Sequence, residues 1–215
     1  MTWSWVYAIQ ILPDLLMGVW MTILVTFASA ALAITLGLAI AIFENTSGPA
    51  GRWFVRFVVE LFRGVPILVL IYFGFYVLPE VGIRLPAIGI GIFVLGVVYA
   101  AFCSEVYRGS LIAIPAGLRD ACVALGLSRR VTWTHVLIPI AVRQSMPALI
   151  NYILVLYRQS AFLFAIGVPV LLGTAQTAGY QSFRYLEPYT LAGLLYLVLN
   201  LPFVYALSRY KSKSS

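Results

Sequence analysis

Long stretches without a charged residue alternate with short polar segments along this chain. The uncharged runs are Leu15–Phe43, Gly64–Pro79, Leu85–Ser104, Gln144–Tyr157, Gln159–Phe183 and Pro188–Ser208. A helix needs about 20 predominantly apolar residues to cross the hydrocarbon core of a membrane. The pattern therefore predicts an all-α, polytopic membrane protein.

The shorter runs decide the number of spans. Gly64–Pro79 is long enough to cross the membrane only if the mostly apolar Val55–Phe62 is added before it. Gln144–Tyr157 is long enough only if the span continues past Arg158. Gly167–Phe183 is then left as an apolar, glycine-rich segment that we predict to dip into the protein without crossing. Five spans result, at approximately residues 15–43, 57–79, 86–106, 141–166 and 188–208 of a single domain that covers residues 1–215.

The positive charges give this arrangement an orientation. With five spans and a periplasmic N-terminus, eleven of the 14 lysines and arginines fall on the cytoplasmic side, together with the C-terminus. A six-span arrangement, made by splitting the fourth span at Arg158, would leave nine positive residues inside and five outside. The positive-inside rule therefore favours five spans. The net charge of +7 then reflects orientation in the membrane, and no nucleic-acid partner is expected.

Residue usage argues against an enzyme. A phosphate-binding Walker loop needs a lysine after its glycines, but Lys211 and Lys213 in the tail are the only lysines. His135 is the single histidine, so neither a metal cluster nor a Ser/His/Asp triad is expected, and no cofactor is predicted. Cys103 and Cys122 both fall at the predicted cytoplasmic face, where we expect unpaired packing residues.

The one long polar interruption runs from Gly117 to Pro139 within a predicted cytoplasmic loop at residues 107–140. It contains two short helices. Gly126 is suited to a left-handed C-terminal cap of the first, and Ser128 to an N-cap of the second. Pro139 is expected to stop the second helix. We predict that this elbow faces a soluble partner; the alternative is a helix lying on the lipid surface.

Two acid–base pairs with three-residue spacing mark predicted entrances to the membrane: Glu60 with Arg63, and Glu105 with Arg108. Gly64 and Pro66 follow the first pair and are expected to bend the backbone there. Such pairs lower the cost of charge near lipid. They are interpreted either as interfacial anchors or as parts of a gate.

Together these residues resemble the membrane subunits of bacterial ABC importers, specifically the polar-amino-acid permeases of the histidine/glutamine/arginine type. The loop is similar to their EAA box, with Asp120, Ala121, Cys122, Gly126 and Val136 through Pro139 in the matching positions. The two acid–base segments are similar to the family's Glu-x-x-Arg-Gly-x-Pro and Glu-x-x-Arg-Gly. Gly18 with Thr22, and Ile166 through Val168, resemble two further family motifs.

The resemblance implies a five-helix permease of the type I importer kind. It also implies three kinds of partner: a cytoplasmic ABC ATPase dimer, a periplasmic solute-binding protein, and a second permease subunit that is identical or paralogous. The ATPase would grip the elbow through one apolar stripe, flanked by arginines, that consists of Leu118, Ala121, Cys122 and Leu125. The residues assigned to this coupling are Gly117, Asp120, Ala121, Cys122, Leu125, Gly126, Arg129, Arg130 and Pro139, with Arg119 and Leu118 beside them.

Arg158 is the best pointer to a solute path, because an arginine within the bilayer is costly unless it faces a cavity or a partner. We predict that Arg158, Gln159 and Ser160 contact an amino-acid-like solute; the alternative is an arginine that reaches the interface or pairs with another subunit. Many family members carry Lys-Asp/Asn-Thr-Ser where this chain has Arg158, Gln159 and Ser160, and the difference could alter which solute is accepted. The identity of the solute stays open, from amino acids to compatible solutes such as ectoine.

Two other classes compete with this interpretation. An ion-coupled carrier or channel needs acidic residues inside the membrane, whereas the acids here fall at predicted span ends or in loops. They are Asp14, Glu44, Glu60, Glu80, Glu105, Asp120 and Glu187. A purely structural membrane scaffold would differ from a permease by lacking an associated ATPase.

Overall fold

The protein is a bundle of helices in this computed structural model, which describes residues 3–214. The side chains of residues 203, 204 and 206–214 lie outside the described part, and with them Arg209, Lys211 and Lys213. The α-helices are α1 (Trp5–Thr46), α2 (Pro49–Gly64), α3 (Ile67–Tyr72), α4 (Ala87–Ala113), α5 (Ala116–Ala124), α6 (Arg129–Val131), α7 (Ile138–Gln159), α8 (Leu171–Ser182) and α9 (Leu186–Ser214).

Three helical runs in the described part are long and apolar enough to cross a membrane: Trp5–Thr46, Ala87–Ala113 and Arg129–Ile166. A fourth candidate is the bent pair Pro49–Gly64 and Ile67–Val81, whose two halves meet at 101°. The predicted span at residues 188–208 falls on α9, whose side chains are only partly described. The chain is therefore a multi-helix membrane protein, and the five-span arrangement stays a prediction.

Close contact between α1 and α4 forms the centre of the bundle. A Cβ atom added at Gly37 would lie 2.7 Å from Cys103 Cβ, and one added at Gly96 would lie 2.5 Å from Leu32 Cδ2. A side chain at Gly37 would also meet the Ala100 carbonyl oxygen at 2.9 Å and push the two helices apart, whereas one at Gly96 would displace the Leu32 side chain. Cys103 is thus a packing residue, and both Cys103 and Cys122 are buried and free, as predicted.

The second predicted span is broken where its sequence indicates. α2 ends at Gly64, and Val65 and Pro66 adopt extended backbone angles before α3 begins. Pro66 has no N–H to continue the α2 hydrogen-bond ladder. The chain then passes through a π-helical turn, Phe73–Val77, and a 3₁₀ turn, Leu78–Val81.

Two boundaries differ from those predicted. α1 begins at Trp5, ten residues before the predicted span, because Ser4 caps its N-terminus and Pro13 is accommodated inside the helix. The prediction that Pro139 ends a helix is wrong, since Arg129–Ile166 is one continuous helical run. The π-helical segment Thr132–Leu137 precedes the proline, and the Ile138 N–H bonds to the carbonyl of Trp133, five residues back. This wider turn absorbs the proline that would break a regular helix.

The segment after α7 packs inside the bundle. Gly167 has a φ of +79° and ends the 3₁₀ turn Ser160–Ile166 in the left-handed conformation. α8 then runs for 12 residues against α1. At about 1.5 Å per residue it spans about 18 Å, which is too short to cross the hydrocarbon core.

Candidate functional site

The elbow between α4 and α7 is a turn with a hydrogen-bonded cap on each side. The first helix of the elbow, α5, ends in a Schellman motif: Gly126 has a φ of +66°, its N–H bonds to the Val123 carbonyl at 2.9 Å, and the Leu127 N–H bonds to the Cys122 carbonyl at 3.1 Å. Ser128 starts the next helix, its Oγ accepting from the Val131 N–H. Both caps lie where the sequence places them.

The apolar residues of α5 point in two directions. Leu118 packs with Leu111 and Leu137 in a small core beneath the elbow, and Cys122 is 4% exposed. Val123 and Leu125 are 78% and 76% exposed. The predicted single stripe is therefore split, since Leu118 and Cys122 lie inward whereas Ala121 and Leu125 are exposed. Val123 was missed by the sequence argument, which could not place the helix relative to its neighbours.

The polar residues of the elbow are similarly divided. Arg119 donates from Nη2 to the Leu111 carbonyl at 2.8 Å and so ties α5 to the end of α4. Arg129 and Arg130 are exposed at the start of the second helix. Gly117, Asp120, Ala121 and Pro139 are exposed as well. The free surface of the elbow thus combines apolar side chains with two arginines.

Three ion pairs surround the same end of the bundle. The predicted pairs are present: Arg63 Nη1 lies 2.7 Å from Glu60 Oε1, and Arg108 makes a two-pronged contact with the Glu105 carboxylate. The third pair, Glu44 Oε1 with Arg56 Nε at 2.7 Å, joins α1 to α2. Its Glu44 side chain is buried, which sequence spacing could not reveal because the partners are twelve residues apart on different helices.

A cavity of about 270 Å³ lies where the α2–α3 break packs against α4 and α7. Its walls include Arg63, Tyr99, Phe102, Tyr152 and Gln159. Gln159 is the one member of the predicted solute-path triplet that lines this space. The cavity is lined by a charged group, an amide and four aromatic rings, which suits a small polar solute with an apolar portion.

The three consecutive residues of the predicted solute path face three different surroundings. Arg158 is exposed and lines a separate groove of about 370 Å³ between α7 and α9, with its Nε donating to the Leu154 carbonyl. Ser160 is fully buried, and its Oγ donates to the Tyr157 carbonyl at 2.7 Å. The triplet is therefore not gathered at one site, because successive helical residues are turned by about 100°.

The opposite end of the bundle is held by polar contacts between α1 and the α8–α9 connection. The Ser4 N–H donates to Glu187 Oε1 at 2.9 Å, Arg184 pairs with the same carboxylate, and the Arg184 guanidinium lies 5.5 Å from the centre of the Tyr7 ring. The Arg184 hydrogen bond holds the pKa of Glu187 below its ordinary value. Glu187 is almost fully buried and ion-paired.

The Gly18 and Thr22 motif has a clear structural role. Thr22 Oγ1 accepts from the Leu171 N–H at 2.9 Å and donates to the Gly18 carbonyl at 2.8 Å. A Cβ at Gly18 would lie 2.9 Å from Leu171 Cα. The motif therefore lets the start of α8 rest directly on α1.

These features define a class: a multi-helix membrane protein with an exposed elbow at one end and a cavity lined by aromatic, aliphatic and a few polar side chains. Residues 33–210 match the family described as "Binding-protein-dependent transport system inner membrane component". The chain belongs to this family and is a permease subunit.

Relatives and solved structures agree with this assignment. The chain is 36% identical to the "Probable amino-acid ABC transporter permease protein y4tG" of Sinorhizobium fredii, covering 91% of this chain and 84% of that protein. It is 31% identical to the "Arginine transport system permease protein ArtQ" of Bacillus subtilis, covering 95% and 94%. A chain of the "Crystal structure of an amino acid ABC transporter with histidines" superposes with a TM-score of 0.89 at 28% identity, covering 99% of this chain and 100% of that one.

Proposed function

We propose that this permease subunit imports polar amino acids or amino-acid-like solutes across the bacterial inner membrane, driven by a separate cytoplasmic ATPase dimer. The names of its relatives support the solute class. Its further partners are a periplasmic solute-binding protein and a second permease subunit. The N-terminus lies in the periplasm and the C-terminus in the cytoplasm, as the distribution of positive charge indicates.

The observation that carries this proposal is the exposed apolar pair at the tip of the elbow. Val123 and Leu125 are more than three-quarters exposed on a short helix that is capped at Gly126 and tied down through Arg119. Exposed apolar side chains flanked by Arg129 and Arg130 suit a groove on a protein partner. A wedge of this kind transmits movement of the ATPase to α4 and α7.

The test is assembly and transport. The chain is expressed with its partner subunits, purified and placed in vesicles, and ATP-dependent uptake is measured for a panel of amino acids and compatible solutes. We expect the double variant Val123→Ser with Leu125→Ser to lose both ATPase association and uptake. The matched control is the double variant Val6→Ser with Ile9→Ser, which changes two exposed apolar residues at the start of α1, away from the elbow. This control should retain ATPase association. Full association by the elbow variant would contradict the proposal.

A further inference from the structure

The cavity at the α2–α3 break holds two buried polar atoms that lack partners in the described part of the chain. Arg63 uses Nη1 for Glu60, but its Nε has no hydrogen-bond partner. Gln159 Oε1 on α7 is also buried without a partner. Both side chains line the cavity. Because unpaired buried polar groups are costly, a donor and an acceptor on two residues that line one cavity favour a ligand that satisfies both.

An aromatic wall stands beside these two atoms. The ring centre of Tyr152 lies 5.5 Å from that of Phe102 and 6.4 Å from that of Tyr99. The Arg63 guanidinium lies 5.4 Å from the centre of the Phe102 ring, which fixes the position of the positive charge. Aromatic faces attract cations, and such contacts are stronger away from water.

The charge inventory of the cavity is uneven. Arg63 is the one charged residue among those that line it, and none of the lining side chains is acidic. Its ion-pair partner Glu60 lies outside the lining and is 68% exposed at the side chain. A ligand carboxylate therefore finds a positive partner here, whereas a ligand cation finds only an amide oxygen and aromatic rings.

We propose, on the basis of the function proposed above, that this cavity selects net-neutral zwitterions over dibasic and dicarboxylic amino acids. The solute carboxylate accepts from Arg63 Nε–H, and its cationic group faces Gln159 Oε1 and the rings of Tyr99 and Tyr152. A second positive charge would meet no carboxylate among the lining side chains and would be repelled by Arg63. A second carboxylate would find no second arginine.

The test is calorimetric titration of the complete permease–ATPase complex in lipid nanodiscs. The probes are L-glutamine and glycine betaine, which are net-neutral, and L-arginine and L-glutamate, which are not. We expect at least one neutral probe to bind about tenfold more tightly than either charged probe. Tightest binding by arginine or glutamate, or no binding by any of the four, would overturn the inference.

Variants then locate the site. Because a charge-assisted hydrogen bond is lost, we expect Arg63→Gln to weaken the binding of the neutral probe by about 10- to 100-fold. We expect Gln159→Leu to weaken that binding by a smaller factor. Arg52→Gln is the matched control, since Arg52 is exposed on the same helix and does not line the cavity. Unchanged binding by Arg63→Gln would overturn the inference.

The outcomes separate this inference from the proposed function. A complex that assembles and imports arginine in preference to glutamine refutes the selectivity of the cavity and leaves the permease function intact. A chain that recruits no ATPase refutes the function itself. If the Arg63→Gln complex does not assemble, the ratio of the glutamine and arginine affinities of the unaltered protein still tests the selectivity.

Discussion

The left-handed turn at Gly126 offers a sharp test of the elbow geometry. An L-residue in this conformation costs about 1–2 kcal/mol, and asparagine tolerates it better than alanine. A Cβ atom at Gly126 would meet nothing within 4 Å, so Gly126→Ala introduces backbone strain without a clash. The population in which the turn is open should therefore rise by about 5- to 30-fold.

Hydrogen exchange measures this opening directly. The Gly126 and Leu127 amides close the turn through the Val123 and Cys122 carbonyls, and they should lose protection by that factor in Gly126→Ala and by less in Gly126→Asn. Gly109→Ala is the matched control, because a Cβ there also meets open space but the backbone is helical. Equal protection in Gly126→Ala and the control would refute the reasoning. We expect the strained elbow to couple ATP hydrolysis to uptake less efficiently.

Two further predictions concern the contacts of α1 and the residue before it with α8 and with the start of α9. Thr22→Val leaves the buried Leu171 N–H without its acceptor and should destabilise the protein by about 1–3 kcal/mol, which is measured as a lowered thermal midpoint. The control is Thr35→Val on the exposed face of the same helix, which should have little effect on that midpoint. Because Arg184 lowers the pKa of Glu187, that pair stabilises the fold above the ordinary glutamate pKa, and its contribution is lost as pH falls through the lowered value. In the unaltered protein, the Ser4 amide should therefore lose protection from hydrogen exchange as the pH falls, and Glu187→Gln should remove this pH dependence. The same pH dependence of protection in Glu187→Gln would contradict the prediction.

Local signals in the sequence were sufficient for several features. The break after Gly64 and Pro66, the caps at Gly126 and Ser128, and the ion pairs at three-residue spacing all depend on neighbours within one or two helical turns. Such contacts are set by backbone geometry and the residue types present. The all-helical membrane fold followed in the same way from the lengths of the apolar runs.

What the sequence could not show is how each helix is rotated against its neighbours. Arg158 and Ser160 flank Gln159, yet only Gln159 of the three lines the cavity at the α2–α3 break. Leu118 and Leu125 share one predicted stripe, but Leu118 packs inward while Leu125 is exposed. Helical phase is decided by tertiary packing, which single-sequence periodicity does not contain.

The continuous helix through Pro139 illustrates a second limit. Proline usually ends a helix because its ring clashes with the preceding turn. Here the π-helical segment Thr132–Leu137 widens that turn and lets the helix continue into α7. The elbow is consequently joined to α7 without a hinge, which suits a part that passes on movement.

Crosslinking from the tip of the elbow tests the central claim most directly. A photoreactive benzoylphenylalanine replaces Leu125 in one protein and Phe183, which is equally exposed at the opposite end, in another. Membranes are irradiated, and the nucleotide-binding subunit is identified by azido-ATP labelling. We predict a crosslink to that subunit from position 125 and none from position 183. A crosslink from 183, or none from 125, would contradict the account.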